Sequence, residues 1–280
     1  MEIPSFRLAL NASTIRNDQL GVMEQIKVAA EAGYTGIELW VPDICEYLEN
    51  GGKQDELRRL AEASGVFLVN AIAFFKWTDA DPTVRLQGME QAKREIQLLR
   101  EIGCTAVAAP PFGDVSSLTL DDIAENFHAL AEIGRDAGVE PYLEIWGMAK
   151  KISTLSQAAY VALQSGVPDA KLLVDVYHLY KGGSRHDGIR MLNGDSIGIV
   201  HINDYPVSPP RDRIGDSDRC YPGDGVAPVA AFLNDLWHIG YRGFLSLELF
   251  RKDYGVLGAL NIAKRGLEKI QSLRQDGTCT

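Results

Sequence analysis

The chain has 280 residues, of which 46% are hydrophobic and 24% are charged, proportions that are ordinary for a globular protein in water. Its 28 basic and 38 acidic residues give a formal net charge of −10, which disfavours nucleic acid and anionic membranes as partners because like charges repel. No apolar run reaches the length of a membrane span, and the N-terminus lacks the basic and apolar regions of a secretion signal, so we expect no membrane partner.

The cysteines are few and scattered. Cys45, Cys104, Cys220 and Cys279 form no C-x-x-C pair and no dense framework. Such thiols in a chain of this length are typical of a reducing compartment rather than of a disulfide scaffold. We therefore expect a cytoplasmic protein.

Short apolar runs alternate with amphipathic segments along the whole chain. The apolar runs predict eight strands, at residues 6–10, 34–40, 66–75, 105–111, 139–147, 171–176, 196–204 and 243–250. Cap and stop residues predict helices at about residues 18–31, with Asp18 as N-cap, and at about 55–65, 81–102, 121–138, 154–165, 185–192, 227–239 and 256–273. Residues 45–54 and 205–226 are predicted to be loops.

The order of these elements predicts the fold. Each strand is a short apolar run, as expected when both faces of a parallel sheet are covered. Eight β-α units in about 250 residues are typical of a (β/α)8 TIM barrel. A doubly wound sheet is the alternative, but it would place a ligand at one switch point rather than at several consecutive strand ends. Because the composition shows no linker or break, we expect residues 1–280 to form a single domain.

Four polar side chains end consecutive predicted strands: Glu144 in PYLEIWG, Asp175 in KLLVDV, His201 in GIVHIND and Glu248 in FLSLELF. An isolated buried charge is costly, so each must be paired, bound to a metal ion or functional. In a barrel the carboxyl ends of the strands converge on one mouth, where three carboxylates would repel one another. A divalent cation removes that repulsion, and this donor set suits Mn²⁺ first, with Mg²⁺, Co²⁺ or Zn²⁺ as alternatives.

Two further residues are candidates for binding a substrate. His178 lies three residues after Asp175 and is predicted to contact a substrate oxygen, with a helix-cap or loop role as the alternative. A loop longer than about 15 residues inside a compact fold is usually functional. Arg219, close to the turn YPGDG in the long loop, is predicted to reach the mouth, whereas Arg211 and Arg213 are expected in solvent. Candidates for the wall of a pocket, or for the core, are Trp40, Asn70, Phe74, Phe75 and Trp146.

At these residues the chain resembles the sugar phosphate isomerase/epimerase superfamily, the xylose isomerase-like TIM barrels, and within it the inosose isomerases. The resemblance rests on segments that occur in the family's order and cover nearly the whole chain: LALNAST, YTGIELW, NAIAFF, YLEIWG, LLVDVYHLYKGGS, VHINDYP, DSDRCYPGDG and LSLELFRKDY. It implies that one divalent metal ion is held by Glu144, Asp175, His201 and Glu248. It also implies that Glu144 and Glu248 are the catalytic acid/base pair, that His178 and Arg219 contact the substrate, and that the protein forms a homo-oligomer.

Such a site suits removal of a proton from the carbon next to a ketone, through an enediolate. The expected substrate is a small polyhydroxy ketone, either a ketoinositol (inosose) or a ketose, and the expected reaction is isomerisation or epimerisation. A metal-dependent lyase or dehydratase on the same site is the alternative, because all three reactions share the enediolate. A DNA-repair endonuclease on this barrel is disfavoured by the negative charge and by the count of five histidines, and an inactive sugar-binding protein is disfavoured by the intact carboxylates.

Overall fold

The computed structural model describes residues 6–16, 19–250 and 256–273. The strands are β1 Arg7–Asn11, β2 Gly36–Trp40, β3 Phe67–Ile72, β4 Ala106–Ala109, β5 Glu140–Glu144, β6 Lys171–Asp175, β7 Ile197–Ile202 and β8 Phe244–Leu247. The α-helices are α1 Val22–Ala32, α2 Val41–Glu49, α3 Gln54–Ala63, α4 Pro82–Glu101, α5 Leu120–Ala137, α6 Leu155–Gln164, α7 Val176–Gly182, α8 Val229–His238 and α9 Ala259–Ser272. Within these described residues, none of the helices combines the length and the apolar character that a membrane span needs.

All paired strands run parallel and form one eight-stranded sheet in the order β3-β2-β1-β8-β7-β6-β5-β4. The two end strands, β3 and β4, come into contact and nearly close the sheet into a barrel. The helices surround this barrel, and the main apolar core lies between them and the strands. The predicted (β/α)8 TIM barrel is therefore confirmed.

The interior of the barrel explains how distant polar residues meet. Tyr142, Leu173 and Ile199 pack with Phe244 in an apolar cluster inside the strands. Because side chains alternate along a strand, the residue two positions further along each strand faces the same interior. The barrel interior is therefore filled by apolar side chains in one layer and by polar side chains in the next layer, towards the carboxyl ends of the strands.

Helix ends largely follow the local cap signals. The side chain of Asp81 accepts hydrogen bonds from the N–H groups of Thr83 and Val84 at the start of α4. Gly33 ends α1 with φ of +97°, a left-handed conformation that glycine adopts without steric cost. The other predicted N-cap, Asp18, lies outside the described residues.

Helices α2 and α7 lie outside the predicted helices. The prediction of a loop at residues 45–54 is wrong for its first part, because Val41–Glu49 form α2. Pro42 stands in the first turn of this helix, where its missing N–H leaves no hydrogen bond unmade, and Ile44 is buried. After β6, the side chain of Asp175 accepts a 2.9 Å hydrogen bond from the N–H of His178 and thereby caps α7.

Candidate active site

The four polar strand ends meet at the carboxyl-terminal mouth of the barrel. Glu144 and Asp175 are the last residues of β5 and β6, His201 lies one residue before the end of β7, and Glu248 directly follows β8. His201 Nδ1 lies 3.0 Å from Glu248 Oε2 and 3.6 Å from Asp175 Oδ2. One ligand atom of each of these three residues lies within 4.8 Å of the other two, so together they can hold a metal ion.

The chemistry of this group fits a divalent cation. Two carboxylates and one imidazole are ligands for Zn²⁺ and Mn²⁺ alike. Among the described residues, the buried Nδ1 of His201 finds no hydrogen-bond partner of suitable geometry, although two carboxylate oxygens stand near it. A buried ring nitrogen set between two carboxylates is a position where a divalent cation can be bound.

Glu144 faces the same mouth but stands apart from that tight group of three. Burial raises the pKa of Glu144 to about 8, with the carboxylates of Glu248 and Asp175 adding to the rise and His201 opposing it. A carboxyl group of this kind exchanges a proton near neutral pH, as an acid/base catalyst must. Its role as a metal ligand stays a prediction.

Arg219 enters the mouth from the long loop after β7 and is 1% exposed. Its Nη1 donates to Asp175 Oδ2 at 2.9 Å and to Glu248 Oε2 at 2.6 Å. Its Nη2 donates to Asp216 at 2.6 Å and lies 3.1 Å from Nε2 of His178. The cation offsets part of the negative charge of the site and places an N–H donor group beside the predicted ligands.

Burial and neighbouring charges set the charge states of Asp175 and His178. Burial opposes ionisation of Asp175, but Arg219 and the adjacent histidines hold its pKa below the ordinary value. Burial lowers the pKa of His178 to about 4, so this ring is neutral at pH 7. A neutral imidazole at the mouth can exchange hydrogen bonds with a hydroxyl group of a substrate.

A cavity of about 240 Å³ opens directly above these groups. Its polar lining consists of Glu144, His178, Asp216, Arg219 and Glu248. The apolar lining consists of Trp40, Ile72, Phe74, Trp146, Met148 and Phe250. Aromatic rings there lie close together, with centroids 5.2 Å apart for Trp40 and Phe74 and 6.2 Å for Phe74 and Trp146. Of the other predicted wall residues, Phe75 packs in the core, and Asn70 lies inside the barrel.

The part of the loop that follows Arg219 is fixed by a buried carboxylate, Asp204. It accepts hydrogen bonds from four backbone N–H groups, which belong to Tyr205, Gly223, Gly225 and Ala227. The backbone of Asp204 also pairs with Cys220, next to Arg219, with both N···O distances at 2.9 Å. Gly225 has no room for a side chain, because a Cβ there would lie 2.3 Å from the carbonyl oxygen of Tyr205. Arg211 and Arg213, in the same loop, are exposed as expected.

Sequence reasoning did not assign a role to Glu38, which is fully buried on β2. Both of its carboxylate oxygens lie 3.1 Å from Nε2 of His201. Asn70 donates to Glu38 at 2.7 Å, and Asn11 donates to Glu38 at 3.3 Å and to Glu248 at 3.0 Å. Burial opposes ionisation, but His201 and the hydrogen bonds lower the pKa of Glu38 below its ordinary value. The signal in the sequence was a glutamate inside the apolar strand GIELW.

Comparison with known proteins agrees with this geometry. The family model described as the xylose isomerase-like TIM barrel matches residues 26–273. The chain is 27% identical over 273 residues to the inosose isomerase of Bacillus velezensis, a match that covers 94% of each chain. It is 26% identical over 261 residues to the 3-dehydroshikimate dehydratase of Pseudomonas putida, covering 90% of this chain and 40% of that protein.

Among solved structures, that of the IolI protein with a bound zinc atom has the same fold. The TM-score is 0.88 at 22% sequence identity, and the match covers 98% of this chain and 100% of that one.

Proposed function

Because this chain belongs to the xylose isomerase-like TIM barrel family, we propose that it is a divalent-metal-dependent isomerase or epimerase of a small polyhydroxy ketone. The substrate class that we propose is a ketoinositol (inosose), with a free ketose as the alternative. The observation that carries the proposal is the convergence of Asp175, His201 and Glu248 within 4.8 Å of one another at the mouth of the barrel. The match to inosose isomerase over nearly the full length of both chains supports the substrate class.

Glu144, Asp175, His201 and Glu248 would hold the metal ion. The bound ion supplies Lewis-acid stabilisation of the negative charge that develops on the substrate when a proton leaves the carbon next to the carbonyl, an effect worth several kcal/mol. Mn²⁺, Mg²⁺, Co²⁺ and Zn²⁺ all fit the donors. We propose Mn²⁺ because the set is rich in oxygen, and the zinc in the related IolI structure makes Zn²⁺ the alternative.

The proton itself is moved by the pair Glu144 and Glu248. Their strands, β5 and β8, are separated in the sheet by β6 and β7, so the two carboxyl groups reach the cavity from different sides. One carboxylate removes the proton and the other group returns one, to the same carbon for an epimer or to the adjacent carbon for an isomer. A base positioned in this way typically contributes about 10² to 10⁴-fold to the rate.

The remaining polar groups orient the substrate. Arg219 donates N–H groups, and neutral His178 binds a hydroxyl group of the substrate in the same cavity. The rings of Trp40, Phe74 and Trp146 offer an apolar surface to the C–H face of a ring substrate. Both features suit a cyclic polyhydroxy ketone held with its carbonyl towards the carboxylates.

Exchange of hydrogen for deuterium tests the proposal. The protein loaded with Mg²⁺ or Zn²⁺ is mixed in D₂O with a panel of inososes and ketoses, and proton NMR follows the carbon next to the carbonyl. We expect exchange that EDTA abolishes, that Glu248→Gln abolishes while the protein still binds metal, and that the exposed control Glu90→Gln leaves unchanged. Absence of exchange with every ketone, despite bound metal, would refute the enediolate chemistry.

A dehydratase is the second candidate, because the chain also matches 3-dehydroshikimate dehydratase over 90% of its length. Loss of a hydroxyl group at the carbon beyond the enediolate would give this outcome on the same residues. The NMR experiment separates the two reactions, since a dehydrated ketone has new vinylic signals and an epimer or isomer has none. The metal is identified by elemental analysis and by restoring the EDTA-treated protein with each ion in turn.

We also propose that residues 1–280 act as one cytoplasmic domain that assembles into a homo-oligomer. The scattered cysteines support a reducing compartment. Light scattering coupled to size-exclusion chromatography measures the assembly, and a mass of 30.7 kDa would identify a monomer instead.

A further inference from the structure

A cluster of three polar side chains lies inside the barrel next to the predicted metal ligands and belongs to none of the roles above. Glu38 on β2 is flanked in register by Asn11 on β1 and by Asn70 on β3. All three are at most 1% exposed. Buried polar groups are costly unless each is satisfied, so a cluster with this degree of burial needs a reason.

The hydrogen-bond directions in the cluster are determined by Asn11. Its Oδ1 accepts from the backbone N–H of Ser13 at 3.0 Å, and that N–H cannot act as an acceptor. The Nδ2 group of Asn11 must therefore be the one that faces the carboxylates, donating to Glu38 and to Glu248. This assignment is independent of the usual ambiguity between oxygen and nitrogen in an amide side chain.

Glu38 therefore receives donors from both of its strand neighbours. Asn70 and Asn11 each give it one N–H group. The hydroxyl of Ser246 on β8 also stands close to this carboxylate. Nε2 of His201 reaches across the barrel from β7 and lies 3.1 Å from both oxygens. Because an ionised carboxylate can only accept, the proton of a neutral ring lies on Nε2, and Nδ1 is left on the side of Asp175 and Glu248.

We infer that Glu38 is a positioning residue that holds the ring of His201 with its proton on Nε2 and with Nδ1 directed at the metal ion. Asn11 extends the same control to Glu248, so one buried network orients two of the predicted ligands. The inference rests on the metal site of the proposed function and adds a residue that does not touch the ion. Outer partners of metal-binding histidines commonly act in this way.

Calorimetric titration of the metal-free protein with Zn²⁺ tests the role of Glu38. Replacement of Glu38 by Gln keeps the shape but turns an NH₂ group towards neighbours that already donate. We expect the affinity of Glu38→Gln for Zn²⁺ to fall about 10- to 100-fold, as for other outer-partner substitutions. The same substitution at exposed Glu90 is the matched control and leaves the affinity unchanged. An unchanged affinity in folded Glu38→Gln overturns the inference but leaves the metal site intact.

A second measurement needs no variant at Glu38. In the Zn²⁺-loaded wild-type protein labelled with ¹⁵N, the ring nitrogens of the five histidines report directly which one carries a proton and which one binds metal. We expect His201, assigned by its loss in His201→Gln, to show a proton on Nε2 and metal on Nδ1. The opposite arrangement overturns the inference even if the metal binds tightly. Failure of the wild-type protein to bind any divalent ion overturns both the inference and the proposed function.

Discussion

The long loop after β7 should loosen when Asp204 is replaced by Asn. Oδ1 of Asp204 accepts from the N–H groups of Tyr205 and Ala227, both at 2.8 Å, and Oδ2 accepts from those of Gly223 and Gly225, both at 3.0 Å. The side chain is 1% exposed, so water cannot replace these partners. An asparagine keeps one acceptor oxygen and sets its NH₂ group against two of the four donors.

The magnitude follows from the two hydrogen bonds that are lost. Hydrogen bonds to a charged group are worth about 1.5 to 3 kcal/mol each, which gives roughly 3 to 6 kcal/mol for two. Because about 1.4 kcal/mol is a factor of ten, the local opening of the loop should increase by roughly 100-fold or more. Hydrogen–deuterium exchange measured by mass spectrometry on peptides that cover residues 221–227 detects such a change.

The matched control is Asp212→Asn, the same substitution at an exposed position of the same loop. We expect wild-type exchange in this control. In Asp204→Asn we also expect a higher KM, because the loop carries Arg219 into the mouth of the barrel. Equal exchange of residues 221–227 in the two variants would refute the claim that the carboxylate of Asp204 fixes the loop.

Three further predictions concern the site itself. Glu144→Gln should abolish turnover yet stabilise the metal-free protein. Because the pKa of Glu144 is raised to about 8, the wild-type protein loses stability as pH rises from about 4.5 to 8. Urea unfolding at pH 8 should therefore show a free energy of unfolding that is a few kcal/mol higher for the variant. His178→Gln should change the dependence of stability on pH on the acidic side. Because the pKa of His178 is lowered to about 4, the unfolded chain binds the extra proton first, so wild-type stability falls as pH drops from about 6.5 to 4 and that loss should shrink in the variant. Removing metal with EDTA should lower the free energy of unfolding by about 2.7 kcal/mol relative to protein at a free-metal concentration of 100 times Kd, and an unchanged melting temperature would contradict metal binding to the native state.

Several features of the site could be predicted from local sequence because they depend on period and position alone. An apolar run that ends in Glu144, Asp175 or His201 predicts a buried strand, and parallel strands of a barrel bring their carboxyl ends to one mouth. The side-chain alternation that places Leu173 inside the barrel also places Asp175 inside it, two residues later. Convergence of these residues therefore required no knowledge of individual contacts.

Features that depend on partners from distant strands could not be predicted in this way. The argument that an isolated buried charge must be paired applies to Glu38 in GIELW as well as to the four strand ends, but its partner His201 lies 163 positions away. The sequence shows that Glu38 is present, but it does not show that Glu38 meets His201 across the barrel interior. Helix α2 was missed for a related reason, since its propensity is modest and its formation depends on buried contacts of Val41 and Ile44 that only the fold supplies.

The position of Arg219 could be predicted from local sequence only in part, because it also depends on partners from distant strands. Its place before the turn YPGDG predicted that it would reach the mouth, but not that it would be 1% exposed with Nη1 between Asp175 and Glu248. That burial is sustained because carboxylates offset its positive charge: Asp175, Glu248 and Asp216 accept from the guanidinium, and Asp204 fixes the loop behind it. A buried cation of this kind can be kept only where several carboxylates already converge. The predicted metal ligands and the arginine are therefore parts of one charge arrangement, and a change in any of its carboxylates should alter the position of Arg219 as well as the affinity for metal.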